Sequence, residues 1–252
     1  MIVAKALHKR FARPGRSRGE APLIAVDSVS FTAEDGCVTG LLGPNGAGKS
    51  TTLRMLATLL RPDGGRATID GHDVARDVLA VRRRLGFMPH DAGIYPRLSA
   101  RENVHYYARL CGLGAEAARD RTGELIERLG MGGFADRRAV GFSQGQRTKV
   151  ALARALVHRP RTIMLDEPTN GLDVMATRSL RGIVRELAGE GHCVVFSSHV
   201  MQEVAALCDT IAIIAAGRVA MVDTHDGLLA RTGAQNLEDA FVSATGARED
   251  DA

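Results

Sequence analysis

The chain has 252 residues, 45% of them hydrophobic and 25% charged, which suits a single α/β domain with a sizeable core. Its net charge of +4 is mild, and with 4% aromatic residues and no Trp it lacks the aromatic platforms that hold single-stranded nucleic acid, so no nucleic-acid partner is expected. No apolar run approaches the roughly 20 residues of a spanning helix, and the N-terminus carries no secretion signal, so a membrane role has to come through a partner.

In chain order, residues 2–7 and 25–31 read as β-segments separated by a Pro-, Gly- and Arg-rich loop over 12–22. Residues 38–42 are a short apolar run ending in a Gly-rich turn, and 51–60 read as a helix stopped by Arg61-Pro62-Asp63-Gly64-Gly65. Strand, Gly-rich turn and helix in that order are the layout of a phosphate-binding parallel sheet. The turn, Gly43-Pro44-Asn45-Gly46-Ala47-Gly48-Lys49-Ser50, fits G-x-x-x-x-G-K-[ST] in full. Its glycines let the backbone curl so that N–H groups converge on phosphate at a helix N-terminus. Lys49 then faces the β- and γ-phosphates, the Ser50 hydroxyl ligates Mg²⁺, and Thr51 is the next candidate contact. Alone, the loop says only that a nucleotide phosphate binds.

The middle third is helical. Ser99 and Glu102 are spaced as a capping box before a helix with Val104, Tyr107, Ala108 and Cys111 on one face. A second helix runs over about 116–129 and ends at Gly130, so residues from about 90 to 155 form a mainly helical subdomain. Within it, Phe142-Ser143-Gln144-Gly145-Gln146 opens a further helix, with Ser143 and Gln146 again at capping-box spacing.

Residues 162–165 and 193–197 are short, apolar and flanked by helical patterns, as central parallel strands are. The first runs into Asp166-Glu167. Two acids at a buried strand tip are costly unless a metal or proton chemistry uses them. Asp166 is therefore the candidate Mg²⁺ ligand, and Glu167 the group that orients and deprotonates an attacking water. Residues 211–215 and 218–222 resemble a closing hairpin, and 235–252 read as a helix running into an acidic tail. The cysteines at 37, 111, 193 and 208 show neither C-x-x-C nor zinc-like spacing and read as small apolar residues in a reducing cytosol.

The phosphate loop, the 142–146 motif, Asp166-Glu167, Gly171-Leu172-Asp173 and His199, in that order and spacing, resemble the ABC ATPases over about residues 1–225. The resemblance implies a P-loop NTPase core of mainly parallel sheet with flanking helices, joined by an N-terminal antiparallel β-subdomain and the helical subdomain. Residues 1–225 would be the nucleotide-binding domain, and 226–252 a short C-terminal helix and acidic tail. It also implies ATP and Mg²⁺ as cofactors and a head-to-tail pair of cassettes sharing both ATP sites. Ser143 and Gly145, with Gln146, would contact the γ-phosphate held by the other cassette. Asp173 would couple the two sites, His199 would contact the γ-phosphate and help hold Glu167 and the water, and Phe11 would stack on adenine.

Two departures stand out. Phe142 and Gln144 replace the Leu and Gly usual in the signature, and His90 stands where the family usually has a Mg²⁺-ligating Gln. A neutral imidazole can still ligate a metal or bind water. With the segments at 93–103 and 170–177, these features look like the NatA-type sodium-efflux cassettes, which power a separate transmembrane permease from the inner, cytoplasmic face of the membrane. A drug or lipid exporter is the alternative, ahead of a non-transport ABC ATPase.

Overall fold

The computed structural model describes residues 1–12, 22–91 and 93–246. Most of the expected loop over 12–22, and the acidic tail beyond 246, lie outside the described residues. Strand β1 (Ile2–Phe11) pairs antiparallel with β2 (Leu23–Ala33). Both run longer than their apolar cores suggest, because register shifts along their ladder re-aim the side chains. Left-handed residues Ala6 and Ser28 mark the same irregular stretch.

Strand β3 (Val38–Leu42) leads through the Gly-rich turn into α1 (Lys49–Leu56). The helix starts two residues before the expected 51, because Gly48 at φ 100° serves as its N-cap. It also ends early: Thr58 turns left-handed at φ 60°, and the N–H groups of Leu59 and Leu60 close on the Arg54 carbonyl. Strands β4 (Gly64–Ile69) and β5 (His72–Asp73) complete a four-stranded antiparallel sheet of order β2-β1-β4-β5.

After α2 (Val78–Arg84) and β6 (Leu85–Met88), three helices follow: α3 (Ala100–Leu110), α4 (Ala115–Arg128) and α5 (Gln144–Leu156). Helices α3 and α5 both begin with complete capping boxes, Ser99 with Glu102 and Ser143 with Gln146. Strand β7 (Thr162–Asp166), α6 (Val174–Gly189), β8 (Cys193–Ser198), α7 (Met201–Leu207), β9 (Thr210–Ala215) and β10 (Arg218–Asp223) close a six-stranded sheet of order β10-β9-β3-β8-β7-β6. Only the β9–β10 hairpin is antiparallel.

Alternation along the central strands splits the core into two layers. Leu41, Met164 and Val195 face the antiparallel sheet and α1, with Ile2, Val29 and Leu53. Leu42, Leu165 and Phe196 face the helices, with Val104, Leu125, Val150 and Val184. Buried on both faces, β3, β7 and β8 show unbroken apolar runs rather than a two-residue period. The helices over 100–156 share the second layer with the sheet, so they form one continuous core with it.

Beyond β10 stand two helices, α8 (His225–Thr232) and α9 (Leu237–Thr245), where the sequence suggests one. Thr224 caps α8 through the Gly227 N–H, and Gly233 at φ 70° ends it. Asn236 then caps α9. Leu228, Leu237 and Ala240 bury into the helix-side layer, so this segment packs on the cassette.

Candidate active site

Because β3, β8 and β7 lie side by side and parallel, their carboxyl ends meet at one sheet edge. Leu42 is level with Ser198 and Asp166 with Ser197. Ligands of open parallel sheets bind at such an edge. The Gly-rich loop sits there under tight steric control. A Cβ on Gly43 would lie 2.1 Å from the Ile214 carbonyl oxygen, and one on Gly48 2.4 Å from that of Ala25. The loop is therefore wedged between the β9 end and β2, and only glycine fits at these two positions.

Lys49 is buried. Its ammonium donates to the carbonyls of Gly43 at 2.7 Å and Pro44 at 3.1 Å, and it pairs with Glu167 Oε1 at 3.2 Å. Pro44, Asn45 and Gly46 are exposed, Ala47 is buried, and Ser50 and Thr51 are half-buried. The Ser50 hydroxyl donates to Asp166 Oδ1 at 3.0 Å, and that of Ser197 donates to the same oxygen at 2.8 Å. Asp166 is 0% exposed, and its Oδ2 has no hydrogen-bond partner. An unmatched carboxylate oxygen in a dry site is costly. Beside a serine hydroxyl it is the donor chemistry of a hard divalent cation, so these residues fit Mg²⁺.

Glu167 has a left-handed backbone, φ 48°, which a side chain larger than hydrogen adopts only when its surroundings enforce it. Three contacts do so. Its N–H donates to Ser197 Oγ at 2.9 Å, its Oε1 meets Lys49 and its Oε2 meets His199 Nδ1 at 2.9 Å. Burial alone would raise its pKa, but the hydrogen bond and charge of Lys49, with His199 adding to them, hold it below the ordinary carboxylate value. At neutral pH Glu167 is thus an ionised acceptor between a cation and an imidazole.

The structure therefore brings together Lys49, Ser50, Asp166, Glu167 and His199. The remaining candidates lie on other elements. Ser143 and Gln146 hydrogen-bond each other across the α5 cap, and Gly145 lies against the first turn of α6, where an added Cβ would be 3.2 Å from Ala176 Cβ. Asp173 caps α6 by accepting from the Ala176 N–H at 2.8 Å. His90 is exposed beyond β6. Phe11, 38% exposed at the end of β1, has the Lys9 ammonium 5.7 Å from its ring centre. Ser197 was not singled out from sequence, yet it joins Asp166 to the Glu167 backbone. Its signal was available in the Ser197-Ser198 pair just before His199, at the end of an otherwise apolar strand.

Residues 26–170 match the family described as ABC transporter. The chain belongs to this family. It is an ABC ATPase, the ATP-binding subunit of a transporter. The chain is 42% identical over 220 residues to the ABC transporter ATP-binding protein NatA of Bacillus subtilis, covering 87% of this chain and 89% of that protein. It is 41% identical over 213 residues to the daunorubicin/doxorubicin resistance ATP-binding protein DrrA of Streptomyces peucetius, covering 84% of this chain and 64% of that protein. Among solved structures, an ATP-binding subunit of an ABC transporter superposes with a TM-score of 0.82 at 26% identity, covering 97% of this chain and 99% of that one. A dimeric ATP-binding cassette in a post-hydrolysis state, bound to ADP and Pi, gives 0.79 at 26% identity, covering 89% and 98%. No helix among the described residues of this ABC ATPase is long and apolar enough to cross a membrane.

Proposed function

We propose that two copies of the chain power an exporter, and that Glu167 is the residue that prepares water for hydrolysis. The observation that carries this is the bridge from Lys49 through Glu167 to His199, beside the Ser50–Asp166 pair. Lys49 and the loop N–H groups bind the phosphates. Ser50 and Asp166, with His90, would hold Mg²⁺, which would supply positive charge against the triphosphate. Glu167, kept ionised, accepts the proton of water, and His199 orients Glu167 and the γ-phosphate. Phe11 lies under the adenine, Ser143, Gly145 and Gln146 meet the partner's γ-phosphate, and Asp173 joins the two sites. Residues 1–225 then act as the nucleotide-binding domain, docked from the cytoplasm on a separate permease.

Export is favoured by the NatA resemblance, which makes Na⁺ the first cargo to test. A drug is the second, since DrrA relatives are named for daunorubicin and doxorubicin resistance. The test is to tag Glu167→Gln, which would trap the ATP-bound pair, and to extract membranes gently. A multi-span membrane protein that co-purifies, with turnover lowered at least ~100-fold in the variant, is the expected result. Recovery of ATP-dependent dimers with no membrane protein would overturn the transport reading.

A further inference from the structure

Behind the Glu167–His199 contact lies a second link between the same two segments, made by a residue with no assigned role. Glu203, on α7, is only 9% exposed. Its Oε2 accepts hydrogen bonds from the hydroxyl of Thr169 and, at 3.2 Å, from that of Ser198. Thr169 lies two residues past Glu167, in a turn closed by the Asn170 N–H on the Glu167 carbonyl at 3.2 Å and the Leu172 N–H on the Thr169 carbonyl at 3.0 Å. Ser198 immediately precedes His199. Its hydroxyl also accepts from the Val200 N–H at 3.0 Å, and its carbonyl from the Gly43 N–H at 3.4 Å. One carboxylate oxygen thus joins the turn carrying Glu167 to the strand end carrying His199, and that strand end touches the first residue of the phosphate loop.

A carboxylate whose hydrogen-bond partners are two hydroxyls is a poor choice for packing alone, since desolvating it is costly without a cation. Its geometry has another use. Glu167 is held at a left-handed φ, and such a conformation persists only while its surroundings over-determine it. Ser197 fixes the Glu167 backbone N–H, and His199 and Lys49 fix the carboxylate. The Thr169–Glu203–Ser198 clamp fixes the spacing of the two chain segments on which those groups stand. We infer that Glu203 is a positioning residue for hydrolysis, acting through Thr169 and Ser198 to keep Glu167 and His199 in register. This rests on the reading of Glu167 given above.

The experiment compares Glu203→Ala, Glu203→Gln and Glu167→Gln in the full chain, measuring kcat and KM for ATP and the melting temperature. Small displacements of a catalytic group slow chemistry without weakening remote binding contacts, so Glu203→Ala is expected to lower kcat ~10-fold with KM within ~2-fold. Glu203→Gln keeps an oxygen that accepts both hydroxyls and should restore kcat to within ~3-fold of the parent. Unchanged kcat in Glu203→Ala overturns the inference. So does a parallel loss of kcat, ATP affinity and melting temperature that Gln does not rescue, which is the signature of a purely structural residue. Should the Ala variant fail to fold, Thr169→Val removes one donor and leaves the carboxylate; kcat should fall ~3-fold at constant KM, and an unchanged kcat there overturns the inference equally. The Glu167→Gln control separates the two readings. If it keeps parental turnover, the role given to Glu167 fails; if it loses turnover while Glu203→Ala keeps it, only the positioning role fails.

Discussion

Glu167 combines a strained backbone with two oppositely placed partners, and this makes the site sensitive to acid in a definite direction. Its folded pKa lies below the ordinary value of 4.5 because Lys49 and His199 outweigh burial. A depressed carboxylate contributes stability that is present above about pH 4.5 and is lost as pH falls through the folded value. The Glu167→Gln variant gives up that contribution at neutral pH and should therefore show a shallower fall of melting temperature between pH 6 and pH 3 than the parent. Identical slopes would mean that the bridge is too well solvated to matter for folding. Lys49 has a separate test. Its ammonium is held by two loop carbonyls as well as by Glu167, so Lys49→Ala removes the charge proposed to face phosphate and also slackens the loop. ATP affinity measured by fluorescence titration should fall at least ~10-fold, more than the loss for Glu167→Gln, which leaves the loop intact.

At the scale of single elements, the caps show how closely local sequence and structure agree. The Ser99–Glu102 and Ser143–Gln146 boxes were legible as three-residue spacings, and both form in full. Replacing Ser143 by Ala should cost about 1 kcal/mol and lower the melting temperature by ~2–4 °C, with Ser143→Thr retaining most of it. The phosphate loop and the strands ending at Asp166 and Ser198 were equally legible, since their motifs fix a strand, a turn and a helix within a few residues. Other features carry no such motif and were not. The extension of β1 and β2 depends on their irregular ladder, the early end of α1 on a left-handed Thr58, and α8 on a Thr224 cap with little apolar periodicity behind it. Asp173 shows a different limit. Its place in Gly171-Leu172-Asp173 suggested coupling between sites, while its spacing to Ala176 marks a helix cap; one residue can hold a helix end and still face a partner.

On the scale of the whole molecule, the site meets solvent through Pro44, Asn45, Gly46 and His199, all of them exposed. The bridge from Lys49 to His199 lies at the sheet edge, whereas the α5 start, with Ser143 and Gly145, lies against the start of α6 at Ala176. Next to that contact Val174 is 82% and Met175 72% exposed. Apolar side chains exposed this far beside a helix N-terminus suit a face that closes on another copy. Helix N-termini also favour anions, so the same face would gain from a phosphate carried by that copy. Gly145→Asp tests this directly. The substitution puts a carboxylate on the α5 N-terminus, where a Cβ already comes within 3.2 Å of Ala176, and it leaves the Lys49 loop untouched. In the Glu167→Gln background, light scattering should show ATP-dependent dimers for the parent and monomers for the Gly145→Asp variant, with ATP binding to the monomer within ~2-fold of the parent by titration. Dimers that persist would place the pairing face elsewhere and return Ser143 and Gln146 to a purely helix-capping role. Monomers that no longer bind ATP would mean that the α5 start supports the loop of its own chain, and the shared-site arrangement would have to be abandoned.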